Sequence, residues 1–204
     1  MKDQPLFLIP ARVGSKRIPH KNFMPCGGGA SLVQRTIDLA TALDAGTVVL
    51  STDHPLIQPG GPVLLSHRPS RLATDEAQMA DVVRDVIKRF QGDPIILLEP
   101  TAALRTAAHI ASGLFLYEMN MATSVVSVVK EQDGWGTRDG TFYIFRRSNL
   151  AAYGNVYGPQ CLMVEIPQEE SLSVDEPEDW ERAERLLASS SPPPAPPPSL
   201  PSHP

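Results

Sequence analysis

Between residues 9 and 22 the chain reads Ile-Pro-Ala-Arg-Val-Gly-Ser-Lys-Arg-Ile-Pro-His-Lys-Asn, with cations at Arg12, Lys16, Arg17 and Lys21 and no acid among them. A loop of this composition suits a polyphosphate. Gly14 lets backbone amides approach an anion, Ser15 can donate a further hydrogen bond, and the lysines act as point charges on phosphate oxygens. The Gly-Lys-Ser/Thr ending of a P-loop is absent, and so is a Gly-x-Gly-x-x-Gly turn.

Such a loop has to be held by the elements on either side of it. The apolar run Leu6 to Pro10 before it predicts a buried strand, and a helical pattern opens near Ser31. Further strands are predicted at Thr47 to Ser51, Pro94 to Leu98, Ser124 to Val129, Thr141 to Phe145 and Cys161 to Ile166. Helices are predicted at Ser31 to Leu43, Ala77 to Phe90, Thr106 to Met119 and Pro177 to Leu187. Leu32, Ile37, Leu39, Ala40 and Leu43 recur near a 3.6-residue period, and Val82, Val83, Val86, Ile87 and Phe90 share one face. Apolar strands alternating with helices predict an α/β domain with a doubly wound, mostly parallel sheet. Ligands of such sheets gather at the carboxyl ends of the strands, where the basic loop lies. Asp175 or Glu176 can cap the last helix, Pro177 suits its first turn, and Glu178 and Asp179 suit its dipole.

The 204 residues suffice for one domain, over 1–188, followed by a proline-rich tail over 189–204 that reads as extended or disordered. That tail is either a dispensable appendage or a ligand for a proline-reading partner. A net charge of -5 makes the basic loop a local concentration on an acidic body and argues against a nucleic-acid binder. Cys26 and Cys161 form neither a disulfide framework nor a zinc spacing. With no signal peptide and no apolar run of membrane length in view, the expected location is cytoplasmic. His20 sits in the loop, either facing phosphate or facing solvent; His54, His67 and His109 lack ligand spacing and read as structural. Trp135 and Trp180 read as packing residues.

Several motifs, in order, resemble the acylneuraminate cytidylyltransferase (CMP-sialic acid synthetase) family. They are the basic loop, Ser51-Thr52-Asp53, Arg68-Pro69 with Leu72-Ala73-Thr74-Asp75, Leu97-Leu98-Glu99-Pro100-Thr101 with Leu104-Arg105, Ser124 to Val128, and Gly140 with Tyr143-Ile144. The resemblance covers about residues 6 to 188 and is closer to the sialate branch than to the 3-deoxy-octulosonate branch. It implies a Rossmann-like fold of the nucleotide-diphosphosugar transferase type and transfer of CMP from CTP to an acidic sugar. It implies Mg²⁺ as cofactor, and CTP and a sugar acid as partners. By resemblance Ala11, Arg12, Gly14, Ser15, Lys16 and Lys21 hold the triphosphate, and Asn22 and Arg68 meet the cytosine. Arg12, Lys16 and Lys21 take the catalytic role, and Glu99, Arg105 and Tyr143 fall on the sugar side. Tyr143 is equally a core tyrosine, and Asp53 either steadies the loop or meets the nucleotide.

Three departures qualify that picture. Where the family has Asp-Ile-Asp before the last helix, this chain has Ser173-Val174-Asp175, leaving Asp175 as the metal-binding acid or as a helix cap. Glu99 replaces a glutamine, so an acidic substrate would be repelled unless Glu99 is protonated or paired with Arg105. The segment from Val129 to Asp139 has room for a turn or hairpin only, where relatives carry a dimerising excursion. A smaller or different acidic acceptor and a weakened homodimer are therefore expected. The rival readings are cytidylyl transfer to a 3-deoxy sugar acid or phosphonate, and a non-catalytic nucleotide-binding homologue.

Overall fold

A computed structural model describes residues 4–57, 59–130 and 136–190. Seven strands form one sheet: β1 Leu6–Pro10, β2 Thr47–Thr52, β3 Leu64–His67, β4 Ile95–Leu97, β5 Ser124–Lys130, β6 Gly136–Phe145 and β7 Cys161–Glu165. Its order is β3-β2-β1-β4-β6-β5-β7. β1 pairs in parallel with β2 and β4, β2 with β3, and β5 with β7, while β6 runs antiparallel to both β4 and β5. The sheet is thus mostly parallel, as the continuous apolar runs predicted. The helices are α1 Leu32–Ala42, α2 Met79–Ile87, α3 Ala107–Met119, α4 Asn149–Ala152 and α5 Pro177–Ser190.

Alternation along β1 divides the core between the two faces of the sheet. Phe7 and Ile9 join Val33, Ile37 and Ala40 of α1 and Ile110 of α3. Leu6 and Leu8 join Val83 and Val86 of α2 on the other face. Burying each Phe, Leu, Ile or Val side chain here contributes about 1.5–3 kcal/mol. Gly113 of α3 has its Cα against the Phe142 ring, where an added Cβ would come within 2.6 Å of ring carbons. That position keeps α3 close on the sheet.

Local signals start the helices. Ser31 Oγ accepts from the Gln34 amide at 3.3 Å, and Thr106 forms a reciprocal box with His109. The His109 ring also bonds Glu170 at 2.7 Å, a structural role as expected. At α5 the predicted caps do not act through their side chains: the Asp175 and Glu176 amides both donate to Asp179 Oδ2, at 3.0 and 2.8 Å. The helix runs to Ser190, two residues into the predicted tail; residues 191–204 lie outside the described residues.

Two elements went unpredicted. β3 is a four-residue edge strand of mixed burial behind a Pro-Gly-Gly-Pro turn, too short to show a period. α4 is a single turn. On either side of the short segment after β5 the two strands pair antiparallel, with Val128 opposite Arg138, Val129 opposite Thr137 and Lys130 opposite Gly136; residues 131–135 lie outside the described residues. Trp135 lies outside the described residues.

Candidate active site

The basic loop leaves the carboxyl end of β1 at the centre of the sheet. Ala11 is wholly buried there, its amide donating to the Ser51 carbonyl at 2.9 Å. Asp53, at the end of β2, accepts from the Val13 amide at 2.8 Å, so it steadies the loop from beneath. Ile18 is the loop's anchor: it is buried with Leu172, Val174, Ala183 and Leu187, and Trp180 packs on the same cluster. An apolar residue amid cations thereby fixes which way the cations face.

They face a cleft of about 590 Å³. Arg12, Gly14, Ser15, Lys16, Lys21, Asn22, Arg68, Glu99 and Asp175 all line it, with Arg17, Asp75, Met79, Pro100 and Thr101. This is within the range of small-molecule sites. A Cβ built on Gly14 would meet nothing within 4 Å, so the glycine borders open space.

Each loop cation is matched by an acid. Asp75 binds Arg12 at 2.5 Å through Oδ1 and Lys16 at 2.6 Å through Oδ2. Arg17 meets Glu176 at 2.5 Å. Lys21, largely buried, donates to the Val174 carbonyl at 2.6 Å and to Asp175 Oδ1 at 2.9 Å. Lys16 has a side chain 77% exposed, which leaves its ammonium free to follow a ligand. Arg17, Asp75 and Glu176 are members of this cleft region that the sequence did not single out as site residues. Their partners lie about 60 or 160 residues away, a distance no local pattern reveals.

Asn22 and Arg68 are buried at the inner end. Asn22 Nδ2 donates to the Arg12 carbonyl at 3.1 Å, which fixes the amide's orientation. Its Oδ1 is buried and has no hydrogen-bond partner among the described residues. A buried acceptor left in that state calls for a donor. Arg68 spends Nε and one terminal nitrogen on Ser51, at 3.3 Å to Oγ and 2.9 Å to the carbonyl. Burial draws its pKa down to about 10, opposed by the Asp53 charge.

The expected sugar-side residues divide. Glu99 follows β4 and lines the cleft; its carboxylate makes no hydrogen bond or ion pair among the described residues. Burial raises its pKa above the usual carboxylate range, with Arg105 and Lys21 opposing and Asp175 adding to the rise. Arg105 does not line the cleft. It is buried behind it, donating to the carbonyls of Thr141 and Glu99 at 2.5 Å each and lying 3.4 Å from Thr36 Oγ1. It therefore binds the backbone of Glu99 and not its side chain, the ion pair having been one of two possibilities, and holds the cleft wall. Tyr143 lies outside the cleft lining, packed on the second core cluster, with Glu99 among the charges that raise its pKa after burial.

Asp175 carries the one acid expected for a metal. Its Oδ1 takes the Lys21 ammonium, and its Oδ2 accepts from Ser173 Oγ at 2.8 Å. Burial pushes its pKa up, but those bonds and the nearby Arg17 leave it below the usual range. No group of three His, Cys, Asp or Glu suited to a metal occurs among the described residues. A hard cation at Asp175 would share a carboxylate already bonded to Lys21 and Ser173 and would draw its other ligands from phosphate oxygens.

The amino-acid sequence matches the family model described as Cytidylyltransferase over residues 6–153. It is 30% identical over 172 residues to a 3-deoxy-manno-octulosonate cytidylyltransferase of Glaesserella parasuis serovar 5, covering 76% of this chain and 65% of the relative. It is 31% identical over 133 residues to an N-acylneuraminate cytidylyltransferase of Streptococcus agalactiae serotype III, covering 61% of this chain and 32% of that one. The chain thus spans just under two thirds of the length of the first relative and about a third of the second. In structure it is similar to a CMP:2-keto-3-deoxy-manno-octonic acid synthetase complexed with CTP, with TM-score 0.71, 16% identity, and 91% and 99% of the two chains covered. A Mycobacterium tuberculosis H37Rv protein in complex with manganese matches at TM-score 0.61 and 14% identity, over 91% and 100% of the chains. These likenesses share the fold found here, and no described helix is long and apolar enough to cross a membrane. The match from β1 to just past α4, on a sheet of the same architecture, shows that the chain belongs to the cytidylyltransferase family.

Proposed function

We propose that this protein transfers CMP from CTP to an acidic sugar, a nonulosonate such as N-acylneuraminate, and releases pyrophosphate. The observation that carries the reading is the cleft itself: four cations from one loop line a space also lined by Asn22, whose buried Oδ1 has no partner among the described residues. The 4-amino group of cytosine is a donor, and uracil offers an acceptor at the same position.

On this reading Arg12, Ser15, Lys16 and Lys21 hold the phosphate chain, Gly14 leaves room for it, and Asn22 and Arg68 meet the base. An acceptor hydroxyl attacks the α-phosphorus and gives up its proton to solvent, the bond from the α-phosphorus to the bridging β-phosphate oxygen breaks, and the pyrophosphate departs toward Lys16 and Arg12. Preorganised cations at the leaving group stabilise the charge that builds there, which is worth about 10²- to 10³-fold in rate. A divalent cation such as Mg²⁺ would be held by Asp175 with phosphate oxygens and would supply further charge neutralisation. Glu99 stands where the acceptor would enter, and Arg105 keeps it there. The short β5–β6 connection supports a weak homodimer or a monomer, which the mass in solution by light scattering would decide.

A second reading changes only the acceptor, to a 3-deoxy sugar acid. The 30% identity to an octulosonate enzyme over 76% of the chain favours it. Pyrophosphate release from CTP and Mg²⁺, measured with N-acetylneuraminate and with 3-deoxy-manno-octulosonate, tests both. Release with neither acceptor, by a protein that binds CTP, would leave a nucleotide-binding homologue without transfer activity.

A further inference from the structure

Asp75 is the only acid among the described residues that bridges two cations of the basic loop. Its two oxygens take Arg12 and Lys16 separately, at 2.5 and 2.6 Å, the way two oxygens of a phosphate would. It lines the same cleft. The turn that carries it is held at its two ends, where the Ala73 amide donates to Ser70 and the Gln78 carbonyl accepts the Asp81 and Val82 amides of α2, and by little between them. Residues 74–76 and 78 are exposed, and among the described residues no backbone amide from Thr74 to Gln78 donates a hydrogen bond. Arg12 reaches the Ala73 carbonyl as well, at 3.5 Å. The tie between this turn and the loop is therefore almost wholly ionic.

We infer that Asp75 is an internal competitor of the phosphate chain: it occupies Arg12 and Lys16 until a polyphosphate displaces it, and the turn over residues 73–78 is then released. This rests on the nucleotide reading of the cleft and adds a cost that the ligand must meet there. An ammonium and a guanidinium cannot each keep the short bond to Asp75 while facing an incoming anion, because a second anion between them would repel the carboxylate. The hydrogen bonds from Lys16 and Arg12 keep the Asp75 carboxyl below its usual range, so it stays charged at neutral pH. Its exposure keeps the exchange cheap, since solvated pairs contribute little to the fold.

The test is calorimetry with pyrophosphate and with CTP, without divalent cation, on the parent and on Asp75→Asn and Asp75→Glu. Asp75→Asn should bind both ligands about tenfold more tightly, and Asp75→Glu should stay near the parent. In the parent, amide exchange over residues 73–78 should speed up when pyrophosphate binds. Equal or weaker binding by Asp75→Asn, or slower exchange in that turn, overturns the inference while leaving the nucleotide reading standing. Failure of every protein to bind either ligand overturns both.

Discussion

The orphaned oxygen of Asn22 allows base selectivity to be worked out in advance. Its Nδ2 is committed to the Arg12 carbonyl at 3.1 Å, so Oδ1 alone is left to meet a ligand. An unsatisfied buried acceptor costs about 1–3 kcal/mol. CTP relieves that cost through its 4-amino group; UTP retains it, since its own oxygen faces the same lone pairs. The parent should therefore prefer CTP over UTP by about 5- to 150-fold. Asn22→Ala removes the acceptor and also the bond to Arg12. The second loss weakens the loop for both nucleotides alike and cancels in the ratio. Titration of parent and variant with CTP and UTP at fixed Mg²⁺ should show the preference falling to within about threefold of unity. A CTP-to-UTP ratio that survives the substitution would remove Asn22 from base recognition.

Four further outcomes follow. Lys16→Ala should leave the melting temperature unchanged, because that side chain is mostly exposed, while kcat falls about 10²- to 10³-fold and CTP affinity changes far less; steady-state kinetics beside calorimetry would check this. Burial holds the Glu99 proton above the usual carboxylate range, so rising pH ionises it late and then repels an acidic acceptor; the acceptor KM should climb with pH in the parent and stay flat in Glu99→Gln. Arg105→Met should destabilise the fold by about 2–4 kcal/mol, since it strands the buried carbonyls of Thr141 and Glu99, and chemical denaturation would measure it. Ser173→Asp adds a second carboxylate beside Asp175 and should lower the Mg²⁺ concentration needed for half-maximal activity several-fold.

The central sheet was legible because its strands are continuous apolar runs, and β1 carries the same bounds in the structure as in the sequence reading. Four cations in one short stretch made the loop stand out in the sequence, and the structure sets all four on one cleft. What sequence could not show were the long-range partners. Asp75, Glu176 and Val174 meet the loop only through the fold, and Arg105 looked like a ligand-facing cation until its three bonds placed it behind the wall. Asp53 left two possibilities open in sequence, and its bond to the Val13 amide decides for the steadying role. β3 escaped because an edge strand of four residues has no room for a pattern.

The seating of Ile18 among Leu172, Val174, Ala183 and Leu187, with Lys21 bound to Asp175, has a consequence for biosynthesis. The ribosome delivers the cationic stretch more than 150 residues before the segment that supports it. Until α5 emerges from the exit tunnel, the nascent protein carries the charges without the frame that orders them. Competence to take up nucleotide should therefore await the synthesis of α5, which follows every strand of the sheet.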